Sequence, residues 1–346
     1  MSGGVEVRRF TPADLPRVVE LARTALGEGS APRTVDYWRW KHLESPFGPS
    51  PGLVAEHDGE LVGIRLFLRW RLRAGGREVA AVRAVDTATH PAWQGRGVFR
   101  RLTEELVAEV AAEGAALVFN TPNRASRSGY LKMGWTDVGR VPARAGRPAP
   151  LRLAGRLLRS RARADRGTPR APGRGPPGGL APVDDLLSAP RLPALLAAWG
   201  REEARLHTPR SVEYLRWRYA SVPGLRYHAA WELDGEAGAA VVLRLRRRGF
   251  CREVALCEVL ASPDPRGVAA ARALIRAAVR AAGGDYAAAA AVRGTAEARI
   301  LGRTGLVPLP VPGRRFTVRS LGDRPAGADP RRWSAWRLSL GDLELM

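Results

Sequence analysis

The sequence predicts an α/β protein of two tandem domains, each with a mixed, mostly antiparallel twisted sheet flanked by helices. The 346 residues exceed what one hydrophobic core usually organises, and 45% hydrophobic with 26% charged residues is typical of a globular chain. In the first half, segments typical of a strand, a helix, several antiparallel strands, a helix, a strand and a helix follow one another. A nine-residue pattern of this half recurs in the second half, which indicates a duplication.

The first domain begins with a strand from Val5 to Phe10. Thr11, Pro12 and Asp14 then supply an N-cap, a proline at the first helical position and an acid in the first turn, so a helix is predicted through Ala25. A hairpin follows, with strands from Leu53 to Glu56 and from Leu61 to Leu72 on either side of an Asp-Gly turn. Together these segments predict the first layer of the domain.

A further strand, Val79 to Thr87, leads through a loop into a helix that carries an apolar face and several glutamates on its other faces. A buried strand, Ala115 to Phe119, and a second helix, Asn123 to Met133, complete the unit. The loop therefore joins a strand to the start of a helix.

The recurring pattern runs from Thr34 to His42 and again from Ser211 to Tyr219, and a strand-like run and an Asp-Gly pair follow each copy. Because local order is shared over this stretch, the two halves are predicted to share a fold. The predicted division is a first domain at residues 1–140, a linker at 141–183 and a second domain at 184–346.

The linker is rich in Arg, Pro and Gly and holds nine of the 22 excess positive charges, with a short basic amphipathic helix expected at 151–164. Runs of like charge are usually extended and solvated, which favours a solvated tether; the alternative is a contact with nucleic acid or anionic lipid. Nucleic-acid binding ranks last among the functions, because no RNP, zinc-finger or basic-zipper pattern accompanies the charge. Of 56 basic residues only Lys41 and Lys132 are lysine, so part of the basicity reflects a compositional bias.

The composition excludes other classes of protein. No apolar run approaches the roughly 18 residues that span a bilayer, and the first ten residues are too polar for a signal peptide, so a cytoplasmic protein is expected. Cys251 and Cys257 are the two cysteines of the chain, too few for a disulfide framework or a zinc site made mainly of Cys. His57, His207 and His228 have no companions at metal-ligand spacing, so no metal is expected.

The loop after the fourth strand carries the chemistry. A strand, a glycine-containing loop and a helix present unpaired main-chain N–H groups and the positive end of a helix dipole, which suits a phosphate. Gly95 and Gly97 let the backbone approach a ligand, and Arg96, Arg100 and Arg101 add positive charge. The loop lacks the Lys-Ser/Thr ending of a P-loop and the spacing of a dinucleotide fingerprint.

The loop, Gln94 to Phe99 preceded by His90-Pro91, resembles the acyl-CoA loop of the GNAT acetyltransferase family, whose pattern is Gln/Arg-x-x-Gly-x-Gly/Ala. Phe99 departs from the small residue at the last position. Asn123, Tyr130 and then Gly134-Trp135 are similar to a second family element further along the chain. The resemblance covers about residues 5 to 140, and it reaches the second half through the repeat alone.

The resemblance implies acetyl-CoA, or another acyl-CoA, as co-substrate, without a metal. Tyr130 would give a proton to the departing thiolate, and Asn123 would hydrogen-bond near the cofactor. The diphosphate would be held by backbone amides from Gly95, Arg96, Gly97, Val98 and Phe99, with Gln94 shaping the turn. The pantetheine arm would pair with Thr87, Ala88 and Thr89.

The expected reaction is direct N-acyl transfer to an amine of a small molecule or amino sugar, which needs a base to deprotonate the amine. Asp86 is favoured as this base, with Glu56 and His42 as alternatives. A second function class stays open, a non-catalytic acyl-CoA-binding module that regulates a partner.

The equivalent loop of the second half, Ala261 to Ala269, has one glycine, two prolines and an aspartate, and no Gln. Proline removes amide donors and an acid opposes phosphate. The second domain is therefore expected to keep its shape and to have lost its cofactor.

Overall fold

The computed structural model of the chain describes residues 4–27, 33–146, 179–201, 203–234, 237–249, 251–309, 314–322 and 325–343. These residues form two seven-stranded sheets and ten α-helices. Most of the predicted linker, including the basic helix expected at 151–164, lies outside the described residues. No helix in these ranges combines the length and the apolar character needed to cross a membrane.

The first half contains the predicted elements in the predicted order. Its elements are β1 (Glu6–Arg9), α1 (Leu15–Leu26), α2 (Val35–Leu43), β2 (Gly52–His57), β3 (Glu60–Ala74), β4 (Arg77–Thr89), α3 (Val98–Ala112), β5 (Leu117–Asn120), α4 (Arg124–Lys132), β6 (Thr136–Arg140) and β7 (Ala143–Gly146). The β2–β3 hairpin turns at Asp58 and Gly59, both in the left-handed region of backbone space.

The second half repeats this order, which confirms the tandem fold. Its elements are β8 (Ala181–Pro182), α5 (Val183–Leu187), α6 (Leu192–Gly200), α7 (Val212–Leu215), β9 (His228–Asp234), β10 (Ala237–Arg248), β11 (Cys251–Ala261), α8 (Pro265–Ala282), β12 (Tyr286–Ala290), α9 (Ala296–Gly302), β13 (Val307–Pro308), β14 (Arg315–Ser320) and α10 (Leu340–Leu343). A π-helical turn, Arg216–Ala220, continues α7.

The two sheets exchange one strand each. The first sheet has the order β1-β2-β3-β4-β5-β14-β6, and the second has the order β13-β7-β12-β11-β10-β9-β8. Strand β14 lies antiparallel to β5, with Thr317 opposite Asn120, and β7 lies antiparallel to β12, with Ala143 opposite Ala290. A strand from the predicted linker thus completes the second sheet, and a strand from the predicted second domain completes the first.

The repeated nine-residue pattern forms the contact between the halves. Thr34 and Ser211 each cap a helix by accepting a hydrogen bond from the backbone amide three residues later. The Trp40 Nε1 group donates to the Trp217 carbonyl at 2.7 Å, and the Trp217 Nε1 group donates to the Trp40 carbonyl at 3.0 Å. Their rings stack with centroids 5.1 Å apart. Because each tryptophan donates to the main-chain carbonyl of the other, the two halves are related here by an approximate two-fold axis.

Both long hairpins carry a bulge at the same place. In the first sheet Arg65 lies opposite Thr87 and Leu66 lies opposite Val85, so Asp86 is the extra residue. In the second sheet the extra residue is Cys257. Asp86 has a φ of 37°, which turns its side chain out of the regular alternation of the strand. The bulge lies three residues before β4 ends at the loop.

Candidate functional site

The loop between β4 and α3 is open over its two glycines. A short 3₁₀ turn, Pro91–Trp93, follows β4, and the His90 side chain caps it by accepting from the Ala92 amide. Gly95 and Gly97 have φ values of 77° and 82°, a region that favours glycine. A Cβ atom built on either glycine would have no atom within 4 Å, so a ligand can approach the main chain here.

The amides of this loop are free to bind a ligand. Among the described residues, no hydrogen bond is donated by the main-chain N–H groups from residue 95 to residue 99, and no side chain caps α3. The bonds on either side, from Gln94 N to Pro91 O and from Arg101 N to Gly97 O, fix the loop without using these donors. A helix N-terminus with unsatisfied amides binds anions, so this loop suits a diphosphate.

Side chains around the loop divide into two groups. The Arg96 guanidinium lies over the Trp93 ring, 4.7 Å from its centroid, and Gln94 Nε2 donates to the Thr89 carbonyl at 3.2 Å. Gln94 thus closes the turn from β4. Arg100 and Arg101 pair with glutamates one helical turn later at 2.9 Å, so much of their charge is balanced within α3.

The loop edge of β4 is unpaired on one side. Strand β5 pairs with β4 at residues 81–83, and within the described residues it makes no pair with β4 beyond that point. Residues 84–89 of β4, which include Thr87, Ala88 and Thr89, therefore pair with β3 alone. This free edge leads to the loop amides and can accept an extended ligand arm.

Asn123 lies at the start of α4 and has a structural task. Its side-chain oxygen accepts from the Ser126 amide at 2.8 Å and from the Ser126 hydroxyl at 2.9 Å. The oxygen is therefore already used as the N-cap of the helix. The cofactor contact expected of Asn123 stays a prediction for its amide nitrogen.

Tyr130 lies on α4 and is buried, with 3% of its surface exposed. The Phe99 ring packs edge-on against it at 5.5 Å between centroids, and the Trp135 ring lies at 5.1 Å. A Cβ on Gly129 would come within 3.0 Å of the Phe99 ring, so this glycine makes room for the ring. The bulky residue at the last position of the loop motif thus covers Tyr130.

Asp86 is held as an anion on the other face of the sheet. Lys41 Nζ lies 2.5 Å and His42 Nε2 lies 3.0 Å from its carboxylate. Although burial opposes ionisation, Lys41 and His42 hold the pKa of Asp86 well below its usual range. A carboxylate of such low basicity is a weak proton acceptor at neutral pH, which argues against Asp86 as the base.

The two alternative bases have similar difficulties. His42 is fully buried, its second ring nitrogen is bonded to Ser50 Oγ, and burial lowers its pKa. Glu56 pairs with Arg8 at 2.8 Å and Arg17 at 3.0 Å, and the hydrogen bond from Arg8 lowers the pKa of its carboxyl. No proton acceptor is therefore assigned from these three residues.

Removing the charge of Asp86 should destabilise the fold, because Lys41 is 3% exposed and would lose its counter-ion. Asp86→Asn is expected to lower the free energy of unfolding by about 3 kcal/mol at pH 7. The pKa of Asp86 is lower in the folded than in the unfolded protein. The difference in unfolding free energy between wild type and variant should therefore be constant above about pH 5 and shrink below about pH 4, near the pKa of an unfolded aspartate. Urea unfolding at several pH values measures both.

Asp58→Asn is the matched control for this change, since Asp58 also has a positive φ but its side chain is 78% exposed. Its effect should be within 0.5 kcal/mol or so. Equal effects of the two variants, or a loss at Asp86 that does not change with pH, would contradict the ion-pair account.

The equivalent loop of the second half is closed. Asp264 Oδ1 accepts from the Arg266 amide at 2.8 Å and from the Gly267 amide at 3.0 Å. A Cβ on Gly267 would lie 2.0 Å from Ser262 Oγ, so there is no space for a ligand. The donors that are free in the first half are absent or already bonded here.

The sequence does not predict the burial of two cations next to the site. In the sequence analysis Lys41 is one of two lysines, and Arg65 is part of the strand from Leu61 to Leu72. Arg65 is 0% exposed, and none of its three side-chain nitrogens has a hydrogen-bond partner in the described part of the chain. The available signal was an arginine among apolar residues in the middle of a strand.

The described residues contain no group of three or more His, Cys, Asp or Glu side chains that could hold a metal ion. Cys251 and Cys257 are buried and form no disulfide bond.

Comparisons with known proteins concern the family of the first half and the fold of the chain. Residues 6–138 match the family model of the GNAT acetyltransferase domain. Similar solved structures include a probable N-acyltransferase from Enterococcus faecalis, with TM-score 0.60, 13% identity and coverage of 92% of this chain and 73% of that chain. A GCN5-related N-acetyltransferase from Kribbella flavida is also similar, with TM-score 0.59, 17% identity and coverage of 92% of this chain and 72% of that chain. Another from Anabaena variabilis has TM-score 0.62, 11% identity and coverage of 92% of this chain and 73% of that chain. At these identities the structures show the fold. No curated protein matches the sequence.

Proposed function

Because residues 6–138 match the family model of a GNAT acetyltransferase domain, we propose that the protein transfers an acyl group from acetyl-CoA, or another acyl-CoA, directly to an amine of a small molecule or amino sugar. The observation that carries the proposal is the row of free amides from Gly95 to Phe99 at the start of α3. The residues present fit the co-substrate, since the loop offers donors, positive charge and open space together.

The loop binds the diphosphate. Each free N–H group donates to a phosphate oxygen, and the dipole of α3 favours the negative charge. Gly95 and Gly97 keep the space above the main chain open. Arg96, stacked on Trp93, adds a positive charge next to these donors. The chain thereby fixes one end of the co-substrate without a metal ion.

The free edge of β4 orients the rest of the co-substrate. On the β5 side, no strand among the described residues pairs with residues 84–89, so we propose that their main-chain groups pair with the amide groups of the pantetheine arm. When bound, acyl-CoA supplies a thioester whose carbonyl carbon an amine can attack. The edge directs that thioester toward the bulge at Asp86.

Tyr130 holds the proton for the departing sulfur. A phenol carries a proton on oxygen that it can donate to a thiolate. The Tyr130 ring is buried against Phe99 and Trp135, which hold it in place. The acceptor amine enters on the opposite face, next to the bulge at Asp86, where the second half closes this side of the sheet.

Tyr130→Phe is expected to lower kcat about 100-fold while the Kd for acetyl-CoA changes less than twofold, because the variant loses the proton donor and keeps the ring. Thiol release with an accepted amine measures kcat, and calorimetry measures Kd. The matched control is Tyr286→Phe, which removes a hydroxyl from the second sheet. An unchanged kcat would remove Tyr130 from the mechanism.

The burial of Tyr130 under Phe99 favours a second candidate, a non-catalytic module that binds acyl-CoA and regulates a partner. The two candidates differ in a single assay. An enzyme releases thiol from acetyl-CoA faster when a suitable amine from a panel is added, whereas a binding module binds acetyl-CoA and releases no thiol with any amine.

A further inference from the structure

Arg65 is a buried cation without an anion. Its side chain is fully buried in β3, and none of its guanidinium nitrogens makes a hydrogen bond to a described residue. Burial lowers the pKa of the group. Guanidinium groups in proteins stay protonated, so a positive charge persists inside the domain. A buried charge is normally paired, and an unpaired one needs an explanation.

The groups that surround Arg65 do not supply that pairing. Its guanidinium carbon lies 4.6 Å from the centroid of the Phe67 ring and 5.4 Å from that of the Tyr130 ring. Tyr130 is close enough to interact electrostatically, but the geometry completes no hydrogen bond. Asp86 also attracts the charge, but its carboxylate is engaged by Lys41 and His42. Aromatic faces offset part of the desolvation of a buried cation, not all of it.

The position of Arg65 connects it with the proposed co-substrate groove, which runs from the loop amides of residues 95–99 along the free edge of β4. Arg65 lies opposite Thr87, next to the bulge, where β4 has its free edge. Its guanidinium contacts the rings of Phe99 and Tyr130, which lie between α3 and α4. The diphosphate loop is at the start of α3, so Arg65 lies further along the groove, at the end that the thioester would reach.

We propose that Arg65 binds an anionic group at the thioester end of the groove. This inference rests on the proposed function. Two sources share this chemistry, a carboxylate at the end of the acyl group, as in succinyl-CoA, or the thiolate that remains on CoA after transfer. In the second case the amine nitrogen forms a bond with the carbonyl carbon and loses its proton to solvent, and the C–S bond breaks. The electron pair of that bond stays on sulfur, and Arg65 stabilises the charge until a proton arrives from Tyr130. Either anion completes the hydrogen bonds that the guanidinium lacks.

The first test measures the stability of the free protein. Arg65→Met removes an unpaired charge and keeps an apolar side chain of similar length, so the melting temperature should rise by several degrees. The matched control is Arg83→Met, because Arg83 is also buried but donates to the Asp342 and Leu343 carbonyls. That variant should melt at a lower temperature. A lower melting temperature for Arg65→Met would show that the charge is already compensated, and would overturn the proposal.

The second test measures binding of four ligands to the full chain by calorimetry: acetyl-CoA, succinyl-CoA, CoA and desulfo-CoA. A carboxylate site gives at least tenfold tighter binding of succinyl-CoA than acetyl-CoA. A thiolate site gives at least tenfold tighter binding of CoA than desulfo-CoA, with a preference that grows as pH rises toward the thiol pKa. Arg65→Met should abolish the preference, and Arg65→Lys, which keeps the charge, should retain part of it.

Two negative outcomes are distinguishable. If the wild type binds all four ligands equally, or if Arg65→Met keeps the preference, the anion site is wrong and the proposed function stands. If none of the four binds, the proposed function fails and the inference fails with it.

Discussion

Gly97→Glu is expected to abolish binding of CoA, with a loss of at least 100-fold in affinity. Gly97 has a φ of 82°, a conformation that a glutamate adopts only with strain. The new carboxylate would also lie beside the free amides of the loop, where it would bind the N–H groups itself and repel the diphosphate. Calorimetric titration of the full chain with CoA measures the change.

Gly114→Glu is the matched control for this variant. Gly114 follows the same helix, has a φ of 90° and also has no atom within 4 Å of a Cβ position. The substitution carries the same backbone strain and the same charge at the opposite end of α3, so affinity for CoA should change less than threefold. If Gly97→Glu binds CoA as well as Gly114→Glu does, the loop does not hold the diphosphate.

Neither half should fold alone, because the sheets exchange strands β7 and β14. A fragment of residues 1–146 lacks the strand that lies between β5 and β6, and its own β7 has no partner. It also exposes Trp40, which stacks on Trp217 in the intact chain. We expect this fragment to show no cooperative thermal unfolding as a monomer, as measured by circular dichroism.

The complementary fragment provides the control. Residues 147–346 produced together with residues 1–146 should form a one-to-one complex that unfolds in a single transition, since both exchanged strands are then supplied. The result that would contradict the strand exchange is a monomeric 1–146 fragment that unfolds cooperatively. The exchange also means that binding by the second half is best tested in the full chain, through its loop residues.

Local signals allowed much of the fold to be predicted. Thr34 and Ser211 begin helices because their side chains satisfy a free backbone amide, and this preference acts within three residues of sequence. Asp58 and Gly59 form the predicted hairpin turn for the same local reason. The glycines of the loop after β4 likewise indicated exposed amides, and the structure has them free.

Non-local features escaped prediction. Strand β7 is short, and alanine alternates there with arginine and glycine, so nothing in its sequence specifies that it pairs in the other sheet. Arginine is mostly exposed in proteins, so the burial of Arg65 follows only from the packing of α3 and α4. The ion pair of Asp86 with Lys41 depends on a bulge whose position is fixed by strand register. The domain boundaries at residues 140 and 184 stay a prediction. Strands β7 and β14 each pair in the sheet on the other side of these boundaries.

The asymmetry of the two loops supports different roles for the halves. The second half keeps the fold and the bulge, but Asp264 occupies the amides that would bind a phosphate. We propose that it completes the acceptor side of the first half. The closed loop of the second half is therefore an internal control for co-substrate binding by the open loop of the first half.

The most direct test of the central claim is an amide NMR titration of the full chain with CoA. The account predicts that the resonances of residues 95–99 shift on binding, while those of Arg266 and Gly267 stay unchanged, since Asp264 already accepts their hydrogen bonds. Shifts at Arg266 and Gly267 with none at residues 95–99, or no shifts at either loop, would contradict it.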